Sequence, residues 1–301
     1  MSVKRAMIII NPSSGKELAL EYLQKVEQLL RDEVGYDVVI NETAKELDAT
    51  NFCISACEDF FDLVVSIGGD GTLHETINGL LDQKHRPLLG VVPLGTVNDF
   101  ARALQIPLDP DEAIRTLTSL QVKDVDMGRL NEQLFANVVA AGSLAESLSS
   151  VSSEDKSKLG AFAYFREGLR ELVSNSAAPL HIEYDGEVWE GESPLFIATL
   201  TNSVGGFEKI APEAEVDDGL LHGFIFKDLN LFNTLAVGAS LLFGHLKDHQ
   251  DVIYFTAHHI KVTSNQPVRT NVDGEEGPAL PIDMHILPGH IKVLVPEAQV
   301  V

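Results

Sequence analysis

The first part of the chain alternates between short apolar runs and amphipathic stretches. Strand-length apolar runs lie at 5–10, 36–40, 63–67 and 88–92. Helical spacing of apolar residues follows the first run, at Leu18, Tyr22, Val26 and Leu29, and helices are also predicted at 45–60 and 111–120. Strands that alternate with helices predict an α/β fold, here a doubly wound domain with a parallel sheet.

From residue 122 onward, the pattern is mainly that of strands. Strands are predicted at 122–130, 134–139, 195–201, 220–226, 252–256, 260–263 and 268–272, with a hairpin at 181–189 that turns at Asp185-Gly186. Helices are predicted at about 158–173 and 229–246. We therefore predict a nucleotide-binding α/β domain at 1–126 and a mostly antiparallel, β-rich domain at 127–301, with the last strand a candidate to return to the first domain.

Polar turns follow the first four predicted strands. They are 11–16 (Asn-Pro-Ser-Ser-Gly-Lys), Thr43, 68–72 (Gly-Gly-Asp-Gly-Thr) and 95–99 (Gly-Thr-Val-Asn-Asp). Ligands of such sheets bind outside the carboxyl ends of the strands, and a turn that leads into a helix N-terminus suits phosphate. Thr72 and Glu75 have the spacing of a capping box. Each turn alone also fits an ordinary strand-to-helix connection, but four at one edge favour a phosphate site.

Composition narrows the class of protein. The chain has 301 residues and a net charge of −23, which argues against a nucleic-acid partner because that function needs a basic face. No apolar run approaches the roughly 18 residues of a transmembrane helix, and the N-terminus has no signal-peptide pattern. Cys53 and Cys57, the two cysteines, are expected to be small buried residues in a reducing environment. These features predict a cytoplasmic protein.

Two acidic turns lie in the predicted second domain. Residues 212–220 crowd carboxylates before a glycine, which suits a hard cation such as Mg²⁺ but also fits a solvated acidic turn. Asp273-Gly274 is a hairpin signal, so residues 271–277 fit a simple turn. The functional alternative is that this turn carries Glu275 to the cleft as an acid/base group.

Together, these motifs resemble those of the soluble bacterial diacylglycerol kinases, in the lipid-kinase family that includes sphingosine and ceramide kinases. The resemblance covers nearly the whole chain and is carried by 11–16, 68–72, 95–104, 200–203, 217–219 and 272–275. Gly-Gly-Asp-Gly alone is shared with NAD kinases and 6-phosphofructokinases. The combination with the Asp-Gly-Glu turn and the acidic loop is much more specific.

The resemblance implies a set of site residues. ATP would be bound by Asn11, Pro12, Ser13, Ser14, Gly15, Thr43, Gly69, Asp70, Gly71, Thr72, Leu73, His74, Glu75 and Thr96. Glu275 would accept the proton, with Asp70 and Asp99 beside it, although the residues alone leave Glu275 and Asp70 both open as the base. A structural Mg²⁺ would be held near Asp218, with main-chain carbonyls from Glu215 and Leu220.

Two positions depart from the bacterial pattern. His74 stands where those enzymes usually have Asn, and sphingosine and ceramide kinases have His there. Glu215 stands where the family often has Lys, which matters little if only its carbonyl is used.

By resemblance, the chain would phosphorylate diacylglycerol to phosphatidic acid at the inner membrane face, where anionic phospholipid is a further partner. Lys156, Lys158, Arg166 and Arg170 surround an aromatic stretch, which fits either an interfacial surface or a core helix with a solvated face. A homodimer is compatible with the strand edges. The alternatives are a kinase of another hydroxyl lipid, a kinase of a soluble metabolite such as NAD, and a nucleotide sensor without catalysis.

Overall fold

The computed structural model describes residues 3–15, 18–119, 121–142, 177–206, 209–227, 237, 240 and 244–297. The chain divides into two compact units, Met1–Val125 with Gly289–Val301, and Asp126–Pro288. The predicted helix at 158–173, and with it Lys156, Lys158, Arg166 and Arg170, lies outside the described residues. Most of the predicted helix at 229–246 does so too.

The first unit alternates strands and helices. Its elements are β1 (Arg5–Ile10), α1 (Ala19–Gln28), β2 (Asp37–Glu42), α2 (Asp48–Glu58), β3 (Leu63–Gly68), α3 (Asp70–Asn78), β4 (Leu88–Pro93), α4 (Asp99–Ala103) and α5 (Pro110–Thr116). A π-helical turn, Leu29–Val34, continues α1. The strands pair in parallel in the order β2-β1-β3-β4.

Strand β1 shows why this sheet is buried on both faces. Ala6, Ile8 and Ile10 pack with apolar residues of α1, and the alternate residues Met7 and Ile9 are buried as well. Because successive side chains of a strand point to opposite faces, elements must cover both sides of the sheet. The predicted α/β class with a parallel sheet is confirmed.

The second unit is built from strands. They are β5 (Val122–Leu130, which begins in the first unit), β6 (Gln133–Phe135), β7 (Val138–Gly142), β8 (Ala178–Tyr184), β9 (Glu187–Ser193), β10 (Leu195–Thr199), β11 (Leu221–Phe226), β12 (Val252–Ala257), β13 (His259–Thr263), β14 (Thr270–Val272), β15 (Glu275–Glu276) and β16 (Ile282–Leu294, which ends in the first unit). Leu246–Asp248 forms a 3₁₀ turn.

Two sets of antiparallel strands form the second unit. One sheet has the order β12-β11-β10-β7-β14-β15, and the other set pairs in the order β16-β13-β8-β9. Their buried residues form one core, in which Val139 and Phe196 of the first sheet join Ile182 and Ile260 of the second set. The predicted antiparallel, β-rich character is confirmed.

One predicted strand is divided in the structure. Residues 134–139 were expected to form one strand, but β6 ends at Phe135 and β7 begins at Val138. The backbone N–H groups of Ala136 and Asn137 between them donate to the carboxylate of Asp273, at 2.7 and 2.9 Å, rather than to a neighbouring strand. A long-range side-chain contact therefore interrupts the ladder.

The described helices are short, and none of them is long and apolar enough to cross a membrane. The two cysteines lie on α2 and are 0% and 2% exposed. They are small buried residues, as the sequence predicts.

Candidate active site

The four polar turns meet at one edge of the first unit, because β1–β4 are parallel and all end there. Backbone hydrogen bonds connect the turns to neighbouring strand ends. The N–H of Asn11 donates to the carbonyl of Ile67 at 3.1 Å, and the N–H of Thr43 donates to that of Ile10 at 2.8 Å. The four turns therefore lie along a single edge of the sheet.

The turn after β1 is held in shape by its own asparagine. Asn11 Oδ1 accepts the N–H of Ser13 at 3.0 Å, and the Asn11 carbonyl accepts the N–H of Ser14 at 3.0 Å. Gly15 has a φ of +63°, which favours glycine, and a Cβ there would lie 3.3 Å from Leu94 Cβ. The turn is therefore fixed by its own hydrogen bonds.

The turns after β3 and β4 approach each other at two glycines. A Cβ on Gly95 would lie 2.9 Å from Gly69 Cα and 2.6 Å from Asn98 Oδ1, so a side chain there would force the turns apart. The N–H of Leu94 donates to the carbonyl of Gly68 at 2.8 Å and holds the same junction. Main chain, rather than side chains, forms this part of the edge.

Asp70 connects the glycine turn to the start of α4. Its Oδ2 accepts the N–H of Asn98 at 2.9 Å, and its Oδ1 accepts the N–H of Asp99 at 3.2 Å. The Asn98 side chain makes two hydrogen bonds with Gly95. Its Oδ1 accepts the Gly95 N–H at 3.0 Å, and its Nδ2 donates to the Gly95 carbonyl at 2.8 Å. Asp70 and Asp99, which is 9% exposed, are thus neighbours. Their catalytic roles stay predictions.

The predicted capping box at Thr72 and Glu75 is wrong. Helix α3 begins at Asp70, after the extended residue Gly69, so Thr72 lies inside the helix and is 8% exposed. The Glu75 carboxylate accepts the N–H of Ala49 at 3.1 Å, in the first turn of α2. Glu75 therefore caps another helix, a contact between distant residues that local spacing does not reveal.

The other predicted nucleotide-binding residues differ in exposure. Leu73 is buried and lines a small cavity beneath the glycine turns, together with Ser66 and Ala101. His74 Nε2 lies 3.2 Å from Asn78 Nδ2, which also donates to the His74 carbonyl at 3.0 Å. Thr96 is exposed.

Asp218 organises the acidic loop of the second unit. Its Oδ2 accepts the N–H of Glu215 at 3.0 Å and lies 2.9 Å from His222 Nε2, and its Oδ1 accepts the N–H of Leu220 at 2.9 Å. Burial alone would raise the pKa of Asp218, but the His222 ring and the two backbone N–H groups hold this pKa below its ordinary value. The carboxylate is therefore a charged centre of the loop.

This loop has the chemistry of a hard-cation site. Carboxylate and carbonyl oxygens are the ligands that Mg²⁺ takes, and Asp218 Oδ1 has room for a second partner besides the N–H of Leu220. Asp126 Oδ2 accepts the N–H of Gly219 at 2.7 Å and fixes the neighbouring turn. The Asp218 carboxylate and the carbonyl oxygens of Glu215 and Leu220 are thus ligands of the type that Mg²⁺ binds.

Glu275 is presented by a strongly anchored turn. The Asp273 carboxylate accepts the N–H groups of Ala136, Asn137 and Val138 at 2.7, 2.9 and 2.9 Å. Glu275 begins β15 two residues later, and its side chain is exposed. The sequence indicated Asp273 only as part of a turn, because its three partners lie far away in the chain.

Comparison with known families agrees with this architecture. Residues 5–130 match the family described as diacylglycerol kinase catalytic domain. Residues 137–295 match the family described as YegS C-terminal NAD kinase beta sandwich-like domain. A solved yeast NADH kinase is similar in fold, with a TM-score of 0.56 at 12% identity over 99% of this chain and 85% of that one. The fold is therefore NAD-kinase-like.

Similar full-length proteins define the family. A diacylglycerol kinase of Bacillus subtilis is 40% identical over 98% of this chain and 97% of its own length, and one of Staphylococcus saprophyticus is 40% identical over 98% and 96%. A crystal structure of a diacylglycerol kinase from Bacillus anthracis has a TM-score of 0.83 at 28% identity and covers 100% of both chains. The chain belongs to the diacylglycerol kinase family and is an enzyme of the lipid-kinase class.

Proposed function

We propose that this kinase transfers the γ-phosphoryl group of ATP to the free hydroxyl of diacylglycerol, with phosphatidic acid as the product. The observation that carries the ATP part is the junction of the turns after β3 and β4, where Gly95 leaves no space for a side chain beside Gly69. Such a junction offers backbone N–H groups to phosphate oxygens. The names of the relatives support the choice of diacylglycerol.

In this proposal, the first unit binds and orients ATP. Asn11, Thr43 and Thr96 would surround the nucleotide, and the turn at Gly69–Gly71 would hold its phosphates. The Asp70 carboxylate fixes that turn to the start of α4, so that the N–H groups are in place before the substrate binds. Mg²⁺, when bound, neutralises charge on the phosphoryl oxygens.

Glu275 is proposed as the general base. It would accept the proton of the lipid hydroxyl while that oxygen attacks the γ-phosphorus in line and ADP leaves. We favour Glu275 over Asp70 because its side chain is exposed, whereas the Asp70 carboxylate accepts two backbone N–H groups. Asp70 and Asp99 would act as neighbouring positioning groups.

A phosphoryl-transfer assay tests the proposal. Labelled ATP and Mg²⁺ would be supplied with mixed micelles of phosphatidylglycerol that contain diacylglycerol, ceramide or sphingosine in separate reactions, and NAD would be offered in detergent-free buffer. We expect label in phosphatidic acid. Label only in a sphingolipid would overturn the choice of lipid and would agree with His74, the residue that sphingosine and ceramide kinases have at this position. Label only in the NAD reaction would overturn the proposal of a lipid substrate.

We further propose that the lipid is reached at an anionic membrane surface through the basic, aromatic segment. Four cations in this segment, Lys156, Lys158, Arg166 and Arg170, contrast with a chain of net charge −23. Each Lys or Arg near anionic lipid contributes about 1 kcal/mol. Reversal of Lys158 and Arg166 to Glu should weaken cosedimentation with phosphatidylglycerol vesicles, and unchanged binding would refute the role of this segment.

A further inference from the structure

A cluster of two histidines and one aspartate lies on the β13–β16 pair, away from the glycine turns in sequence and in a different unit. His259 and His285 are directly opposite each other in the antiparallel register, and their rings stack with centroids 4.0 Å apart and planes 5° apart. Asp283 stands two residues before His285 on β16, and therefore shares its face of the sheet. Three side chains that can ligate a metal thus converge on one strand pair.

The ligand atoms are close and open to solvent. Asp283 Oδ1 lies 3.0 Å from His259 Nε2 and 2.6 Å from His285 Nε2, and all three atoms lie within 4.8 Å of one another. The side chains of His259, Asp283 and His285 are 43%, 43% and 51% exposed. An ion can therefore reach the cluster without opening the core.

We propose that His259, Asp283 and His285 form a site for a borderline divalent transition-metal ion, of which Zn²⁺ is the representative. With metal–ligand distances of about 2.0–2.2 Å, tetrahedral ligand atoms lie about 3.4 Å apart. The observed ligand atoms lie within 4.8 Å of one another, so each separation has to change by at most about 1.4 Å. Water would occupy the remaining coordination position.

The backbone behind these ligands is fixed. The N–H of Asp283 donates to Asn131 Oδ1 at 3.0 Å, and the Asp283 carbonyl accepts the N–H of Asn131 at 2.9 Å. The N–H of His259 donates to Asp185 Oδ1 at 3.0 Å. Such support holds ligands in place and restricts the adjustment to the side chains.

The donor set distinguishes this site from the acidic loop. Two imidazole nitrogens with one carboxylate suit Zn²⁺, Ni²⁺ or Co²⁺, whereas Mg²⁺ prefers oxygen ligands. The two histidines therefore supply the selectivity of the site. A bound ion would cross-link β13 and β16 independently of nucleotide or lipid.

Zinc titration of the full-length, tag-free protein tests the site. After treatment with a chelator, the protein would be titrated with Zn²⁺ against a chromogenic competitor at about pH 7.5, above the ordinary pKa of imidazole. We expect one ion bound by the wild type, and a loss of affinity of at least 10–100-fold in His285→Ala, since even loss of a supporting hydrogen bond costs about that much. Co²⁺ should give nitrogen-ligand absorption bands in the wild type but not in His285→Ala.

His258→Ala is the matched control. His258 is the sequence neighbour of His259 and is 69% exposed, but its ring is directed at Asp185 at 3.0 Å and takes no part in the cluster. Its variant should bind Zn²⁺ as the wild type does. Equal affinity in the wild type and His285→Ala, or equal losses in His258→Ala and His285→Ala, would overturn the site. Magnesium-dependent kinase activity does not enter the readout, so the outcome is separate from that of the proposed function.

Discussion

Asp273 and Glu275 are two residues apart in one turn, but they have opposite surroundings. The Asp273 carboxylate accepts three backbone N–H groups, whereas the Glu275 side chain is exposed. A substitution of the first should therefore change stability, and a substitution of the second should change chemistry. The sequence predicted a turn at Asp273 and an acid/base role for Glu275, but it did not predict the three backbone partners of Asp273.

Glu275→Gln should leave the fold unchanged and lower turnover by about 10²–10⁴-fold, the usual contribution of a general base. The exposed side chain makes its replacement neutral for stability. The measurement is kcat in the micelle assay, with circular dichroism to verify folding. Glu276→Gln is the matched control, because Glu276 is adjacent, is 59% exposed and pairs with Arg269. Near-normal turnover of Glu275→Gln would remove Glu275 from the role of base.

Asp273→Asn should destabilise the protein by about 1.5–3 kcal/mol. The amide is uncharged, so its hydrogen bonds are weaker, and it has one oxygen in place of the two that accept backbone N–H groups. Turnover should fall as well, since the turn that carries Glu275 loosens. Urea unfolding measures the first effect and kcat the second. A variant as stable as the wild type would show that the three N–H contacts do not anchor the turn.

At the scale of elements, local patterns predict the strand-turn-helix units well. Apolar runs located β1–β4, and the Asp185-Gly186 pair located the hairpin between β8 and β9. Contacts between distant residues were not predictable in this way. The Glu75 cap on α2 and the break between β6 and β7 both depend on a carboxylate that meets backbone N–H groups far away in sequence.

The acidic loop should lose stability in acid. The folded-state pKa of Asp218 is below its ordinary 3.8, so the stabilisation is fully present above that pH and disappears as the pH falls through the folded-state pKa. Asp218→Asn should therefore cost about 1 kcal/mol at neutral pH, and its deficit should shrink below pH 3.8. Urea unfolding of both proteins at several pH values, with a chelator present, measures this difference in the free energy of unfolding. A deficit that is independent of pH would contradict the prediction.

At the scale of the whole molecule, the alternation of strands and helices predicted the α/β class and the antiparallel, β-rich class. The long strand β16 was not located, because the sequence around Pro288 and Gly289 interrupts its pattern. The structure places Gly289–Val301 with the first unit. The first unit is thus completed by a segment that lies far away from it in the sequence.

Leu294→Ala tests that completion. Leu294 is 6% exposed and belongs to the core cluster of β1, β3 and α1, so its truncation should cost about 2–5 kcal/mol. Lys292→Ala is the control on the same strand, because the Lys292 side chain is 57% exposed and pairs with Asp124 at the surface. Its effect should stay within about 0.5 kcal/mol. Thermal unfolding compares the two, and equal small effects would show that this segment is not part of the core.

The discontinuity of the first unit also sets an order of events during translation. Strands β1–β4 leave the ribosome early, but Val293, which pairs with Leu89 of β4, is made only after the whole second unit. Until then, the nascent chain carries β4 as an unpaired sheet edge, which invites pairing with other chains. Chaperone protection of that edge would therefore matter most before synthesis finishes, and the first unit would be among the last parts of the protein to become native.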